Sequence, residues 1–180
     1  ALSDTYEPGS TFKIITLAMA LEEGRVSLAD SFYCPGTVSV IGRTNPIRCW
    51  KYGGHGSQTL TQAVQHSCNV AFVNIGQRVG AETFYKYCEG FGFLKLTEDK
   101  DANLTATTGI DLAGESGSIW WSQNTFYSEK NLSQLAAASF GQTFTITPLQ
   151  LITAVSACVN GGRLMQPYVV ESMLNPDGTD

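Results

Sequence analysis

A proline and a glycine directly before an apolar, helix-periodic run place the strongest constraint on how this chain can fold. Pro8 and Gly9 interrupt regular structure, and the apolar side chains after them recur at helical spacing up to Gly24. These start and stop signals predict a helix of about four turns from near Ser10 to Gly24. Residues three apart share one helix face, so we expect Ser10 and Lys13 to point the same way.

Ser10 and Lys13 form a candidate nucleophile and base. A serine hydroxyl is a weak nucleophile until a neighbour takes its proton, and a partly desolvated lysine can do this. Ser10 would also lie at the helix N-terminus, where free N–H groups and the positive end of the dipole favour negative charge. The same spacing fits an N-cap serine beside a solvated lysine, so the pair alone does not decide between capping and catalysis.

A second polar group, Ser67-Cys68-Asn69, falls between two predicted helices. The first covers Ser57–His66 with Ser57 as its cap, and the second starts with Asn69 as its cap. Side chains at such a break can face a shared cleft, where serine can relay a proton and asparagine can bind both a lysine and a substrate amide. Helix capping is the plain alternative. The same S-x-N pattern recurs at Ser122-Gln123-Asn124 without flanking helices, so we rank that segment lower as a candidate site.

Cys34 and Cys49 bracket a predicted hairpin, whose strands are Thr37–Ile41 and Pro46–Trp50. A disulfide between them would close a loop of about 15 residues, which chain entropy suggests is worth roughly 3 kcal/mol. We expect this bond if the protein lies outside the cytoplasm. No two cysteines have C-x-x-C spacing, so we expect no zinc site, and we expect the other three to be buried thiols: Cys68, Cys88 and Cys158.

The rest of the chain is mostly helical in pattern. Helices are predicted at Ala81–Glu89, at Leu132–Phe140 and from Thr147-Pro148 to Asn160, where Thr147 caps and proline takes the first helical position. Residues 94–130 have no strong period, which is uncommon in a compact domain unless the segment carries function. Leu164–Leu174 is predicted as a strand. The pattern has no βαβ alternation, so it indicates a helix-rich α+β fold rather than a doubly wound sheet.

Composition and charge exclude some classes of protein. The net charge of −5 and the absence of a Lys/Arg cluster argue against a nucleic-acid partner. No apolar run approaches membrane-spanning length, and residues 1–9 lack the pattern of a signal peptide. The chain begins just before the first helix and stops in a turn signal, Asn175-Pro176-Asp177-Gly178, so we expect a piece of a larger protein.

Together these segments resemble the penicillin-binding protein transpeptidases, serine acyl-transfer enzymes that cross-link peptidoglycan. Tyr6–Lys13 is similar to the first motif of that family, S-x-x-K with its upstream residues, and Ser67–Phe72 is similar to its second, S-x-N. Ser139–Gln142, leading into Thr147–Leu151, is similar to a further segment, and His55-Gly56 ahead of the second motif also matches. The resemblance spans nearly the whole chain and is closest to monofunctional class B enzymes of cell division or sporulation.

The resemblance implies a role for each matching residue. Ser10 is expected to attack the D-Ala-D-Ala amide and form an acyl-enzyme, with Lys13 as the general base. Ser67 is expected to relay the proton to the departing D-alanine, and Asn69 to position the donor peptide and Lys13. With Gly141 and Gln142, these two residues are the expected substrate contacts. The Ser10 N–H would supply half of an oxyanion hole, an element whose loss typically costs about 10²–10³ in rate.

The third motif of the family, K-[ST]-G on a strand beside the cleft, does not occur in the 180 residues. In the family this motif follows the helix that begins T-P-L-Q, here Thr147–Gln150, so we expect the motif beyond Asp180. The second oxyanion N–H and the contacts to the substrate carboxylate are expected with it. The family's N-terminal sheet strands are also missing. We therefore expect residues 1–180 to form a single partial domain: α+β, predominantly helical, the helical subdomain of the penicillin-binding and serine β-lactamase-like fold with only part of the central antiparallel sheet.

Three other functions stay open. A class A β-lactamase shares the first two motifs but needs an E-x-x-L-N segment, and Glu129-Lys130-Asn131-Leu132 has the wrong order. A D,D-carboxypeptidase is compatible with the motifs, although the Gly-Gln and T-P-L-Q segments favour a transpeptidase. A β-lactam sensor, or an inert helical fragment, is the non-catalytic alternative.

The resemblance also implies partners and a location. Peptidoglycan stem peptides and β-lactam antibiotics are the expected ligands, divisome or sporulation cell-wall proteins are candidate partners, and no cofactor or metal is expected. The parent protein would be anchored to a bacterial cell membrane and act outside the cytoplasm. A fragment without most of its sheet exposes an apolar face, so we expect the isolated chain either to self-associate or to rearrange that face, and to be inactive.

Overall fold

Helix α3, Asn69–Val79, is the centre of the fold in the computed structural model, which describes residues 1–172 of the chain. Helices α1 (Lys13–Glu22), α4 (Ala81–Gly90) and α6 (Ser133–Ala138) pack against it. Helix α3 is buried along most of its length because it carries a dense set of apolar residues: Val70, Ala71, Phe72, Val73, Ile75 and Val79. At Gly76 the missing side chain leaves room for Ser139, just after α6.

Three further helices complete the helical part: α2 (Leu60–Gln65), α5 (Gln123–Phe126) and α7 (Pro148–Val159). The predicted start of α7 is confirmed, because Thr147 Oγ1 accepts from Gln150 N–H and the Gln150 side chain accepts from Thr147 N–H. This reciprocal capping box, with proline at the first helical position, fixes where α7 begins. The helix that starts near Ser10 is confirmed as well, and Gly24 follows α1 at a φ of +60°.

Four short strands form two separate antiparallel pairs. β2 (Thr37–Val38) pairs with β3 (Ile47–Arg48), which confirms the predicted hairpin in a shorter form. β1 (Ser31–Cys34) pairs with β4 (Gly56–Thr59), a pair that the sequence reasoning missed. Predicting Ser57 as a helix cap was therefore wrong. Ser57 lies in β4 opposite Tyr33, and Thr59 caps α2 instead, through a capping box with Gln62.

The irregular segment of residues 94–130 contributes to the core through single residues. Trp120 is buried and stacks on Phe144, with ring centroids 3.8 Å apart. Phe12, fully buried just before α1, contacts the same cluster, with its ring 4.8 Å from Phe144 and 5.3 Å from Phe93. Aromatic side chains of this size dominate core energetics. The cluster therefore fixes the chain on the C-terminal side of Ser10.

The predicted strand at Leu164–Leu174 is wrong over residues 164–172, the part that the structure describes. No strand among the described residues pairs with it. The N–H groups of Val169 and Val170 donate instead to the Asp111 carboxylate, at 2.8 Å each. A segment with β-branched residues forms no ladder without a partner strand. The predicted turn at Asn175–Gly178 lies outside the described residues.

Helices α1 and α7 pack together and also expose large apolar side chains. Ile14 and Leu21 on α1, and Ile152 and Val159 on α7, are all between 43% and 83% exposed. Exposed apolar surface on neighbouring helices is typical of an interface with another element. It fits the expected apolar face, while self-association itself stays a prediction. Among residues 1–172, no helix has the length and apolar character needed to cross a membrane.

Candidate active site

Ser10 lies in a short 3₁₀ helix, Gly9–Phe12, that leads directly into α1. The turn forms because Pro8 has the φ of −66° that proline prefers, while Gly9 takes a φ of +57° that other residues rarely adopt. Thr11 Oγ1 donates to Pro8 O at 2.6 Å and closes the turn. Ser10 is exposed, whereas Phe12 is buried. The local sequence thus presents the hydroxyl to solvent on a fixed backbone.

Lys13 contacts all three of the other predicted catalytic residues. It is only 4% exposed, and its Nζ lies 3.1 Å from Ser10 Oγ, so the predicted pair is brought together. The same nitrogen donates to Ser67 O at 2.8 Å, to Ser67 Oγ at 2.9 Å and to Asn69 Oδ1 at 2.7 Å. The Phe72 ring covers the ammonium at 5.4 Å. The alternative interpretation of this pair, an N-cap serine beside a solvated lysine, is therefore wrong.

The burial of Lys13 changes its proton affinity. Desolvation lowers the pKa of Lys13 from 10.5 to about 8, although the thiols of Cys49 and Cys68 act in the opposite direction. An ammonium group has three N–H donors and no lone pair, so only the neutral amine can accept the Ser10 proton. At pH 7 about one tenth of Lys13 is therefore neutral and available as a base.

Ser67 lies in the tight turn between α2 and α3. Its φ is +48°, in the left-handed region that few residues other than glycine adopt. The turn is closed by hydrogen bonds from Ser67 N–H to Val64 O at 2.9 Å and from Cys68 N–H to Ala63 O at 3.0 Å. This conformation lets both the carbonyl and the hydroxyl of Ser67 accept from Lys13. Strained backbone of this kind is typical of functional sites.

Asn69 is the first residue of α3, where Cys68 holds the cap position without a side-chain cap bond. Predicting Asn69 as a helix cap was therefore wrong, because its carboxamide turns to Lys13 instead. The Asn69 Nδ2 group donates to Arg48 O at 3.3 Å. One side chain thus connects the β2–β3 hairpin to the base of the site. By contrast, Asn124 of the second S-x-N sequence bonds to Asp101, away from these residues.

Gly141 reaches the site through its backbone rather than through a side chain. Its O accepts from Gly9 N–H at 2.8 Å, and a Cβ at Gly141 would overlap the Gly9 carbonyl. Gln142 is exposed, so its substrate contact stays a prediction. Sequence reasoning assigned no role to Glu7, whose Oε1 accepts from Thr143 N–H at 2.8 Å. Its place in the segment before Ser10 was the available signal. These bonds hold the Gly141–Thr143 loop against the turn that carries Ser10.

A cluster of three cysteines and a histidine lies directly behind the Ser67–Asn69 turn. Cys34, Cys49, His55 and Cys68 place their ligand atoms within 4.8 Å of one another. The predicted Cys34–Cys49 disulfide is not formed in the structure, where all five cysteines are free thiols. Burial raises the pKa of the Cys68 thiol to about 12. The sequence reasoning treated Cys68 as a separate buried thiol because its neighbours in this cluster are distant along the chain.

Comparison with known proteins identifies the family. A sequence profile described as the penicillin binding protein transpeptidase domain matches residues 1–179. The chain belongs to this family. Stage V sporulation protein D of Bacillus subtilis (strain 168) is 46% identical over 173 residues, which are 96% of the chain and 24% of that protein. The chain thus spans about a quarter of the length of this curated relative.

Solved structures share the fold. The D,D-transpeptidase domain of a peptidoglycan glycosyltransferase from Eggerthella lenta superposes with a TM-score of 0.83 at 30% identity, over 99% of the chain and 42% of that structure. Penicillin-binding protein A from M. tuberculosis, solved as a ceftriaxone acyl-enzyme complex, gives 0.75 at 28% identity, over 99% and 37%. The predicted family and the helix-rich α+β fold, with little of the sheet, are confirmed by these matches.

Proposed function

We propose that this chain carries the acylation centre of a peptidoglycan D,D-transpeptidase, with Ser10 as the nucleophile. The single observation that carries the proposal is the position of Lys13 Nζ, within hydrogen-bonding distance of the Ser10, Ser67 and Asn69 side chains. A nucleophile, its base and a group that orients the base are the parts that serine acyl transfer requires. Similarity to a β-lactam acyl-enzyme structure supports the same reaction class.

The first half of the reaction is acylation. Neutral Lys13 accepts the Ser10 hydroxyl proton while Ser10 Oγ attacks the carbonyl carbon between the two D-alanines. The negative charge that develops on the carbonyl oxygen lies near the start of α1, where the Ser10 N–H can donate to it. The second oxyanion donor and the contacts to the terminal carboxylate would come from the family's K-[ST]-G strand, a motif absent from these 180 residues.

The departing D-alanine needs a proton as the C–N bond breaks. Ser67 Oγ lies 2.9 Å from Lys13 Nζ, so the proton taken from Ser10 can pass from Lys13 through this hydroxyl to the leaving nitrogen. Asn69 holds Lys13 in place during the transfer. An amine of a second stem peptide then attacks the Ser10 ester, which completes the cross-link. A β-lactam would acylate Ser10 by the same steps, but the opened ring would keep its leaving nitrogen attached.

The same resemblance supports a location and a partner class. We infer that the parent protein acts outside the cytoplasm and is anchored to a bacterial cell membrane, because peptidoglycan is assembled there. The 46% identity to a stage V sporulation protein favours sporulation cell-wall proteins over divisome proteins as partners. The apolar side chains that α1 and α7 expose are the proposed contact with the rest of a partial domain.

A stem pentapeptide ending in D-Ala-D-Ala, supplied with an acceptor amine, tests the proposed reaction. We expect the full-length parent protein, which supplies the K-[ST]-G strand, to release D-alanine and form the cross-linked product, and its Ser10→Ala variant to do neither. Release without cross-linking would identify a D,D-carboxypeptidase instead. A β-lactam adduct without turnover of peptide would identify a sensor. Ser122→Ala, in the other S-x-N sequence, is the matched control and should keep the activity of the unmodified protein.

A further inference from the structure

The cluster behind the Ser67–Asn69 turn has the composition of a structural zinc site. Three thiols and one imidazole are a common tetrahedral set for Zn²⁺, and four protein ligands leave no open coordination position. Their sequence separations (15, 6 and 13 residues) resemble no C-x-x-C pattern, which is why local spacing predicted no metal. The fold brings them together through β1, the turn after β3, the loop before β4 and the start of α3.

The distances within the cluster match a tetrahedron around one ion. With Zn–S bonds of about 2.3 Å and a Zn–N bond of about 2.0 Å, tetrahedral angles place sulfur atoms about 3.8 Å apart and sulfur and nitrogen about 3.5 Å apart. Cys49 Sγ lies 3.9 Å from Cys68 Sγ and 3.5 Å from His55 Nδ1. The ligand atoms of all four residues lie within 4.8 Å of one another. Cys34 Sγ, the fourth ligand atom, lies within the same 4.8 Å limit.

The three cysteines are buried, and the half-buried His55 is held in orientation by its neighbours. Cys34, Cys49 and Cys68 are 1%, 8% and 0% exposed. The His55 ring stacks on His66, with centroids 4.9 Å apart at 6°, and contacts Trp50 edge-on at 5.3 Å. Its Nε2 is buried and has no hydrogen-bond partner among residues 1–172. The ring is thus held by packing, and its Nδ1 lies 3.5 Å from Cys49 Sγ.

We propose that Cys34, Cys49, His55 and Cys68 bind one Zn²⁺ ion, which fixes the Ser67–Asn69 turn beside Lys13. Binding replaces three thiol protons by the metal, so three protons are released and the site carries one net negative charge. Cys68 lies between Ser67 and Asn69, both of which bond to Lys13, so the metal acts on the reaction only by positioning the turn. The proposal goes beyond acyl transfer and does not depend on it.

Cobalt binding to the reduced protein tests this site without any enzymatic readout. We expect one Co²⁺ per chain, with the visible bands of a tetrahedral ion and thiolate-to-metal charge transfer, and displacement by Zn²⁺ with loss of three reactive thiols. Cys34→Ser, Cys49→Ser and His55→Asn should each lose the tetrahedral spectrum. Cys158→Ser, outside the cluster, is the matched control and should keep it.

Two results would overturn the proposal. The first is a folded, fully reduced protein that shows no cobalt–thiolate band and whose thiols all stay reactive when Zn²⁺ is added. This result is expected if two of the three clustered cysteines serve only to form a disulfide. The second is a spectrum that persists when Cys34 and Cys49 are both replaced by serine. Because the first result concerns the unmodified protein, a variant that fails to fold cannot protect the proposal. Penicillin labelling, measured separately, reports on the acylation centre alone.

Discussion

Acylation of Ser10 should rise steeply with pH between about pH 7 and pH 9, because only neutral Lys13 can take the hydroxyl proton. Lowering the lysine pKa from 10.5 to about 8 makes protonation less favourable by about 3 kcal/mol. About one tenth of Lys13 is then neutral at pH 7 and about nine tenths at pH 9, whereas an ordinary lysine is about one part in 3,000 neutral at pH 7. The structure therefore predicts about a tenfold increase in rate.

The assay is the second-order rate at which a fluorescent penicillin labels the full-length parent protein, measured at constant ionic strength from about pH 6 to pH 10. The hydrolysis of penicillin in buffer is subtracted at each pH. Lys13→Arg is the informative variant, because a guanidinium stays charged across this range and should leave labelling slow throughout. A flat profile, or a midpoint near the ordinary lysine pKa of 10.5, would refute a desolvated Lys13 as the base.

Three substitutions test the parts that hold this base. Asn69→Asp places a carboxylate where Oδ1 now lies, 2.7 Å from the Lys13 nitrogen. The negative charge favours the ammonium form, so the midpoint of the labelling profile should move up by about one pH unit or more. An unchanged midpoint would contradict the contact. In urea, the free energy of unfolding of Ser67→Gly should be about 1 kcal/mol higher than that of Ser67→Ala, because only glycine accepts a φ of +48° without strain. Equal stabilities would argue against this backbone conformation at residue 67. Gly141→Ala should lower the free energy of unfolding by about 3 kcal/mol, because its Cβ would overlap the Gly9 backbone. Gly162→Ala has the same φ of +83° but open space around it, so it should lower the free energy of unfolding by only about 1 kcal/mol. Similar losses would contradict the close approach of Gly141 to Gly9.

The local part of the site could be predicted from the sequence. Ser10 and Lys13 come together because both lie in one short helical stretch, and helix geometry alone places residues three apart on one face. The break at Ser67–Asn69 was also visible, because capping residues interrupt an otherwise helical pattern. That the two segments meet at one lysine followed only from the resemblance, since helix packing is not encoded in local spacing.

The errors come from contacts between distant parts of the chain. Ser57 has the residue type of a cap, but pairing with Tyr33 draws it into a strand. Asn69 also has the residue type of a cap, but the buried ammonium of Lys13 is the stronger partner for its carboxamide. The cluster of Cys34, Cys49, His55 and Cys68 could not be predicted for the same reason, because its members lie in four separate parts of the chain.

The most direct test of the account is the position of the covalent adduct after reaction with penicillin. We expect the full-length parent protein, digested and examined by mass spectrometry, to carry one penicilloyl group on the peptide that contains Ser10. The adduct should disappear in Ser10→Ala and persist in Ser122→Ala. An adduct on any other residue, or one that survives in Ser10→Ala, would contradict the assignment of Ser10 as the nucleophile.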